Sequence, residues 1–210
     1  MNEFWQRTIT ALFLCIILAI CCYVNPWVSS LIIVSILGYI LAVEWPQFKA
    51  WPLTLVYPVF PFMLLIVLNQ SGYRHILCFF ACITFAHDCG AYIIGRKYGR
   101  HKICPTVSPG KSWEGFFGGC CIAFAVAVFI IYNRSIKVGS LVISLQNLPL
   151  YVLMSNGIAL LGDIFESYLK RHAGIKDSGS ILPGHGGLLD RLDSLLFVTV
   201  GLSIFLLMVQ

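Results

Sequence analysis

The chain has 210 residues, of which 59% are hydrophobic and only 11% are charged, with a formal net charge of +5. Soluble domains of this size carry roughly 25% charged residues, so the composition excludes a soluble globular protein and indicates a membrane protein. The nine Cys include no C-x-x-C pair and the basic residues form no aromatic-interleaved surface, which argues against a zinc site, a disulfide framework and nucleic-acid binding.

Seven apolar stretches are long enough to cross a hydrocarbon core of ~30 Å as helices. They cover residues 8–24, 27–43, 52–69, 75–95, 115–132, 141–169 and 189–209. The first lacks a small-x-small cleavage site, so we expect it to remain in the protein as a span. Pro52, Pro58 and Pro61 predict a kinked or broken third span, since each proline removes a helical hydrogen bond. Asn147 and Pro149 predict a late start for the sixth span.

The distribution of Lys and Arg predicts how these spans are oriented. With a cytoplasmic N-terminus, the loops at residues 44–51, 96–114 and 170–188 lie on the cytoplasmic side, where basic residues collect. That side holds eleven of them, namely Arg7, Lys49, Arg96, Lys97, Arg100, Lys102, Lys111, Lys170, Arg171, Lys176 and Arg191. The other side holds three, namely Arg74, Arg134 and Lys137. We therefore predict an all-α integral membrane protein, with about seven transmembrane helices in a single domain over residues 1–210 and with cytoplasmic polar loops.

The first polar segment, HDCGAYIIGRKYGRHKICPTVSPGKSWEG, begins within the predicted fourth span. An acid inside a span is costly, so Asp88 is a candidate functional residue, with a charge paired for packing as the alternative. Gly90, Gly95 and Gly99 suit close helix packing as well as the approach of a ligand. The nearby cations suit membrane topology as well as binding.

The GKS sequence at residues 110–112 resembles a phosphate loop. The first glycine of that pattern would fall at Pro105 and no β-strand is predicted before it, so we exclude a Walker A loop. A phosphate at the N-terminus of the following helix could still be bound by hydroxyls, backbone N–H groups and one cation. These groups belong to Ser108, Gly110, Lys111 and Ser112. Glu114 is either part of this site or a helix cap.

The second polar segment runs from GDIFESYLKRHAGIKD into KDSGSILPGHGGLLDRLD. On a helix, Asp163, Ser167 and Lys170 share one face because they lie four and seven residues apart. Asp190 and Asp193 repeat such a spacing at the start of the last span. Acids from two helices that face one pocket are typical of oxygen-ligand divalent cation sites, and Mg²⁺ suits a site that meets phosphates.

Glycines and cations lie between these acids. The backbone can approach a ligand closely at Gly184, Gly186 and Gly187. Cations for several phosphates come from Lys170, Arg171, Lys176 and Arg191. His185 is either a hydrogen-bonded structural group or a participant in the reaction. The combination predicts metal-assisted phosphoryl or nucleotidyl transfer without specifying the nucleotide.

The stretch from Ser167 to Asp193 closely resembles the phosphatidate cytidylyltransferase pattern S-x-x-K-R-x4-K-D-x5-P-G-H-G-G-x-x-D-R-x-D, and every fixed position is met. The upstream segments resemble the same family, so the likeness spans residues 87–193, the predicted catalytic part. It implies transfer of CMP from CTP to phosphatidate, giving CDP-diacylglycerol and pyrophosphate for phospholipid biosynthesis. It also implies Mg²⁺ on Asp163 and Asp190, a second cation such as K⁺, and a homodimer. The small size leads us to expect a bacterial inner membrane.

The expected site residues combine this motif with the two polar segments. We expect participation in the reaction by Asp163, Lys170, Arg171, Lys176, Asp177, His185, Asp190, Arg191 and Asp193. We expect substrate contacts from Asp88, Ser108, Lys111, Glu114, Ser167, Gly184, Gly186 and Gly187. The ionised lipid phosphate would attack the α-phosphorus of CTP in line, so no protein nucleophile is needed.

Three other functions are weighed against this one. A CTP-dependent lipid kinase acting on a polyprenol would share the membrane placement and the metal, but it needs a base for a hydroxyl acceptor. A CDP-alcohol phosphotransferase is disfavoured because its D-G-x2-A-R-x8-G-x3-D-x3-D array is absent. An ion-coupled transporter would use Asp88 and Asp163 as ion sites, but the polar residues concentrate on one face rather than at the midplane.

Overall fold

A computed structural model describes residues 24–133, 137–138, 141–182 and 186–209. Most of these residues are helical. The helices are α1 (Pro26–Tyr39), α2 (Trp45–Phe48), α3 (Phe60–Gln70), α4 (Arg74–Tyr98), α5 (Trp113–Asn133), α6 (Leu148–His172) and α7 (Leu189–Val209). The π-helical stretch Ile40–Glu44 joins α1 to α2. The 3₁₀ turn Trp51–Leu53 and the π-helical stretch Leu55–Val59 lead into α3.

Within the described residues, six helical segments are long and apolar enough to cross a membrane. They are Pro26–Phe48, Trp51–Gln70, Arg74–Tyr98, Trp113–Asn133, Leu148–His172 and Leu189–Val209. Each corresponds to one predicted span, and the late start of the sixth predicted span is confirmed because α6 begins at Leu148. The remaining predicted span, residues 8–24, lies outside the described residues except for Val24. The composition and these helices indicate a mostly helical integral membrane protein.

The span Trp51–Gln70 is broken where the prolines predicted. Tyr57 has extended backbone angles (φ −152°, ψ 120°) immediately before Pro58, so the helical path is interrupted there. The break turns the Tyr57 ring into the core, where it lies edge-on to Phe165 of α6 and Phe197 of α7, with centroids 5.3 and 6.0 Å away. The predicted kink is therefore confirmed, and it also supplies part of the core packing.

Helices α4 and α5 pack closely because glycines face each other. A Cβ on Gly90 would lie 3.1 Å from the Cα of Gly119, and one on Gly115 would lie 3.0 Å from the Cα of Gly95. Small residues at such positions let two helix backbones approach each other. Of the two roles considered for Gly90 and Gly95, close helix packing is the one that the structure shows.

Two short antiparallel hairpins depart from the predicted all-α fold. Strand β1 (Lys102–Cys104) pairs with β2 (Ser108–Ser112), and β3 (Lys137–Val138) pairs with β4 (Leu141–Val142). The prediction that no strand precedes the GKS sequence was wrong, because β1 precedes it and SPGKS itself forms β2. Pro105 disfavours a helix here, so the backbone pairs across the hairpin instead.

The three loops that were predicted to share one face meet at one end of the helical bundle. Arg171 at the end of α6 donates from Nε to the carbonyl oxygen of Val107 in the β1–β2 turn, at 3.3 Å. Glu44, which precedes α2, accepts a hydrogen bond from the backbone N–H of Leu188 at 2.7 Å. These contacts join residues 44–51, 96–114 and 170–188, so the polar segments form one region.

Candidate active site

Two lysine–carboxylate contacts form the centre of the polar end. Lys111 in β2 forms a salt bridge with Asp163 in α6. Lys170, also in α6, places its Nζ 2.6 Å from Oδ1 of Asp190 at the start of α7. Charge-assisted contacts of this kind are stronger than neutral hydrogen bonds, so they connect β2, α6 and α7. All four residues were predicted site residues, and the structure brings them to one end of the bundle.

One face of α6 carries site side chains, as the four- and seven-residue spacing predicted. Ser167 donates from Oγ to Oδ1 of Asp163 at 3.3 Å, which confirms that they share a face. The Nζ of Lys170 also lies 3.3 Å from Oε2 of Glu166. Because Lys170 contacts an acid on each of two helices, it links α6 to α7.

The carboxylate of Asp190 holds the glycine-rich loop against α7. Its Oδ2 accepts hydrogen bonds from the backbone N–H groups of Ser178 and Gly187, both at 2.8 Å. Gly186 has a φ of +83°, and a Cβ there would lie 2.6 Å from Oδ2 of Asp190. The prediction for these glycines was a close approach to a ligand, and the group that Gly186 approaches in this structure is a protein carboxylate. Gly184 and His185 lie outside the described residues.

Acids outnumber lysines in this cluster. Glu166 is completely buried and Asp193 is nearly so, and Asp193 lies close to both Glu166 and Asp163. Among the described residues, Oε1 of Glu166 has no hydrogen-bond partner. Buried carboxylate oxygens are normally satisfied, so this oxygen accepts either a proton shared with the neighbouring Asp193 carboxyl or a cation. With Asp190 included, four acids face two lysines.

The donor chemistry of the cluster fits an oxygen-ligand divalent cation. Carboxylate oxygens are the ligands that Mg²⁺ prefers, the acids are in excess, and one buried oxygen is unsatisfied. Asp163 is the most accessible acid of the four, with a side chain that is 28% exposed. In the described part of the chain, no three Asp, Glu, His or Cys side chains already converge on a single metal position. Lys111 and Lys170 instead neutralise Asp163 and Asp190 in this structure.

Two predicted residues at the junction of β2 and α5 have structural partners. Ser112 accepts a hydrogen bond on Oγ from the backbone N–H of Gly115 at 3.2 Å, so it caps the start of α5. Glu114 accepts backbone hydrogen bonds from Arg100 and His101, both at 3.1 Å. These bonds fix the turn that follows α4 to the first turn of α5. They hold the hairpin, and with it Lys111, above α6.

The remaining predicted residues surround the cluster. Asp88 lies on α4 with Oδ1 3.3 Å from Nδ1 of the buried His87, which is its side-chain partner in the described part of the chain. Arg171 bonds the β1–β2 turn and the carbonyl oxygen of Ile175, at 3.4 Å. Gly110, Lys176, Asp177 and Arg191 are exposed, and Ser108 is half-buried. The structure therefore separates a buried centre from a basic, exposed margin.

Nearly the whole chain is similar to one known protein family. A family model described as "Cytidylyltransferase family" matches residues 11–209. The chain belongs to the cytidylyltransferase family. The resemblance seen in the motif from Ser167 to Asp193 is thereby confirmed.

Several curated members of the cytidylyltransferase family are similar to this chain. The phosphatidate cytidylyltransferase of Staphylococcus epidermidis is 43% identical over 146 residues, which is 70% of this chain and 54% of the relative. The phosphatidate cytidylyltransferase of Haemophilus influenzae is 43% identical over 124 residues, which is 57% of this chain and 41% of the relative. The phosphatidate cytidylyltransferase of Bacillus subtilis is 44% identical over 132 residues, which is 62% of this chain and 46% of the relative. The chain spans about half the length of these relatives.

Two acids of this cytidylyltransferase-family site were absent from the predicted set. Glu166 contributes the unsatisfied oxygen, and Glu44 reaches the glycine-rich loop from a different span. Both are acids in apolar helical surroundings, and such residues are functional candidates by default. That rule identifies both from the sequence, although their partners become visible only in the fold.

Proposed function

We propose that this protein is a phosphatidate cytidylyltransferase, which transfers CMP from CTP to phosphatidate. The observation that carries the proposal is the cluster of Asp163, Glu166, Asp190 and Asp193 with Lys111 and Lys170, at one end of a bundle of apolar helices. Acids in excess, cations and a glycine-rich loop suit the binding of a nucleoside triphosphate with a divalent cation. Similarity to proteins that carry this name supports the choice of substrates.

The proposed reaction needs no covalent intermediate on the protein. An oxygen of the phosphatidate phosphate forms a bond to the α-phosphorus of CTP, and the bond from that phosphorus to the bridging oxygen of pyrophosphate breaks. Mg²⁺, which Asp163 and Asp190 would hold, would offset negative charge on the triphosphate oxygens, with a second cation such as K⁺ nearby. CDP-diacylglycerol and pyrophosphate are the products.

The protein residues bind and orient two anionic substrates. Lys111 is partly exposed on β2, so it is the lysine of the cluster that a substrate phosphate reaches first. Lys170 lies deeper and keeps Asp190 and Glu166 in place. Arg171, Lys176 and Arg191 provide further positive charge at the margin. Holding both reactants in line lowers the activation free energy by several kcal/mol, because binding has already restricted the motion that a bimolecular encounter would have to restrict.

We further propose that the polar end faces the cytoplasm of a bacterium from its inner membrane. Eleven of the fourteen Lys and Arg residues were assigned to this side, and such an excess is typical of cytoplasmic loops. CTP is a cytoplasmic metabolite, so this orientation gives the site its nucleotide. A homodimer is included in the proposal on the family resemblance alone.

The experiment that tests the proposal is pyrophosphate release by the detergent-purified full chain. The protein receives CTP, Mg²⁺ and phosphatidate, with ATP replacing CTP and polyprenol replacing phosphatidate as controls. Release that requires both CTP and phosphatidate, and that is lost in Asp190→Asn, is the expected result. Formation of CDP without pyrophosphate, and only with polyprenol, would instead identify a lipid kinase. Absence of turnover with every pairing would overturn the enzymatic proposal and lead to flux measurements in vesicles.

A further inference from the structure

Glu44 is a buried carboxylate that the proposed reaction does not use. It ends the π-helical stretch that precedes α2, between the apolar residues Leu41–Val43 and Trp45, and its exposed fraction is 0%. An acid in such surroundings is costly unless several donors satisfy it. The identity of those donors therefore indicates why the acid is present.

Three donors satisfy Glu44, and all belong to one distant segment. Its Oε1 accepts from the backbone N–H of Leu188 at 2.7 Å, and its Oε2 accepts from that of Leu189 at 2.9 Å. Oε2 also accepts from Oγ of Ser178 at 3.1 Å. Leu189 is the first residue of α7, so the carboxylate lies at a helix N-terminus, where backbone N–H groups have no partner within the helix.

The same segment is held from its other side by Asp190. Successive N–H groups are divided between the two acids, since Gly187 donates to Asp190 while Leu188 and Leu189 donate to Glu44. Ser178 contacts both acids, with its N–H on Asp190 and its hydroxyl on Glu44. The position of Asp190 relative to the loop is thus defined by a side chain from another span.

The tight fit at Gly187 supports this arrangement. A Cβ at that residue would lie 2.1 Å from Oγ of Ser178 and 2.7 Å from Oε1 of Glu44. These distances from a hypothetical Cβ are shorter than ordinary van der Waals contacts, so the backbone at Gly187 packs directly on the side chains of Glu44 and Ser178. No larger residue fits there unless the pair moves.

We propose that Glu44 is a positioning residue, which fixes Ser178 and residues 187–189 so that Asp190 is presented to Lys170 and to the bound nucleotide. Glu44 acts through Ser178 and the start of α7 and touches no substrate. Its anchoring of the loop stands on the contacts above, whereas its effect on turnover rests on the proposed function. Two separate measurements therefore test the two parts.

The first measurement is hydrogen exchange in the full chain in detergent, without nucleotide or lipid. Glu44→Gln keeps the shape but replaces one acceptor oxygen with an NH₂ group that cannot accept from a backbone N–H. We expect peptides covering residues 178–182 and 186–189 to exchange at least tenfold faster, while peptides from α4 and α5 are unchanged. Gln47→Ala is the matched control, because Gln47 lies one turn away, is exposed, and donates to the carbonyl oxygen of Val43, at 3.2 Å.

The second measurement separates positioning from loss of folded protein. In Glu44→Gln we expect the Mg²⁺ concentration for half-maximal activity to rise about tenfold while the KM for phosphatidate changes less than twofold. A purely structural role would lower the maximal rate and leave both half-saturating concentrations unchanged. Ser178→Ala removes only the hydroxyl bond to Glu44, and it should shift the same two readouts in the same direction by a smaller factor. It replaces Glu44→Gln if that variant does not fold.

The outcomes distinguish the two parts of the proposal. Unchanged exchange at residues 178–189 in both variants would overturn the anchoring role of Glu44. Faster exchange with an unaltered Mg²⁺ requirement would overturn its positioning of Asp190. A wild-type protein without cytidylyltransferase activity would overturn the proposed function, and the exchange experiment would still decide whether Glu44 holds the loop.

Discussion

Two polar regions lie at opposite ends of the helical bundle, and they differ in the charged groups that they contain. At the end where α1 begins, the nearly buried Asn69 of α3 donates from Nδ2 to the carbonyl oxygen of Pro26 at 3.0 Å and to Oγ of Ser30 at 2.9 Å. Its Oδ1 accepts from Oγ of Ser29 at 3.3 Å. Both ends of the Asn69 amide have partners, and Nη2 of Arg74 in α4 also donates to Oγ of Ser29 at 3.4 Å, so a network of amide, hydroxyl and guanidinium groups ties α3 and α4 to α1.

In the carboxylate–lysine cluster at the other end, the lysines are too few to pair with every acid. Four acids face two lysines, Oε1 of Glu166 has no partner among the described residues, and Lys111 and Asp163 are partly exposed. The hydrogen bonds around Asn69 involve no carboxylate, whereas the acids of the cluster can exchange their lysine partners for a ligand. Burial of polar groups is therefore common to both ends, and the excess of carboxylates distinguishes the candidate active site.

The largest expected effect comes from removing the accessible acid of the cluster. Asp163→Asn should lower pyrophosphate release about 10³-fold, since it removes a charge that holds Lys111 and the proposed divalent cation, an interaction on the order of several kcal/mol. The asparagine oxygen still accepts from Ser167, so thermal unfolding in detergent should change little. Activity within threefold of the wild type would contradict the assignment of Asp163.

Removing the accessible lysine should have the next largest effect. Lys111→Met should reduce turnover roughly 10- to 100-fold and raise the half-saturating CTP concentration, because a charge-assisted bond to a phosphate oxygen is lost, a contribution of about 1.5–3 kcal/mol. Lys111→Arg should restore part of the activity. Lys97→Met is the control, since Lys97 is exposed and its Nζ lies over the Tyr98 ring, 5.2 Å from the centroid. Equal losses in the two Met variants would contradict a specific role for Lys111.

A smaller effect is expected from adding a methyl group in the glycine-rich loop. Gly187→Ala should lower activity about tenfold and destabilise the protein by about 1–3 kcal/mol, because the new Cβ overlaps Ser178 and Glu44. Gly157→Ala is the matched control. A Cβ there has no neighbour within 4 Å, and alanine favours helix α6, so the melting temperature should stay equal or rise. Equal behaviour of the two variants would contradict the tight loop packing.

The smallest effect on activity is expected at the Asn69 end. Asn69→Ala should lower the free energy of unfolding by about 1–3 kcal/mol, because buried partners in α1 lose their hydrogen bonds. Turnover per folded molecule should remain as in the wild type, which also makes this variant a stability control for Asp163→Asn. A large loss of turnover without loss of stability would show that the two ends are not separate in function.

Local features of the sequence predicted much of the fold and of the site. The length of the apolar stretches located the six described spans. Pro58 predicted the break at Tyr57, since a missing backbone N–H removes a helical hydrogen bond close to the proline itself. The spacing of Asp163, Ser167 and Lys170 placed them on one face, because helix geometry repeats locally. The motif from Ser167 to Asp193 predicted the family.

Tertiary structure alone decided which side chains meet. Lys111 lies 52 residues from Asp163, and Glu44 lies 134 residues from Ser178, so neither contact follows from periodicity. The β1–β2 hairpin was missed because strands of three and five residues give too short a pattern to separate strand from loop. Sequence by itself determined the spans, the kink and the chemistry of the motif, since these depend on neighbours along the chain. The pairing of lysines with acids, the unsatisfied oxygen of Glu166 and the hold of Glu44 on the loop depend on how helices pack, which only the folded bundle defines.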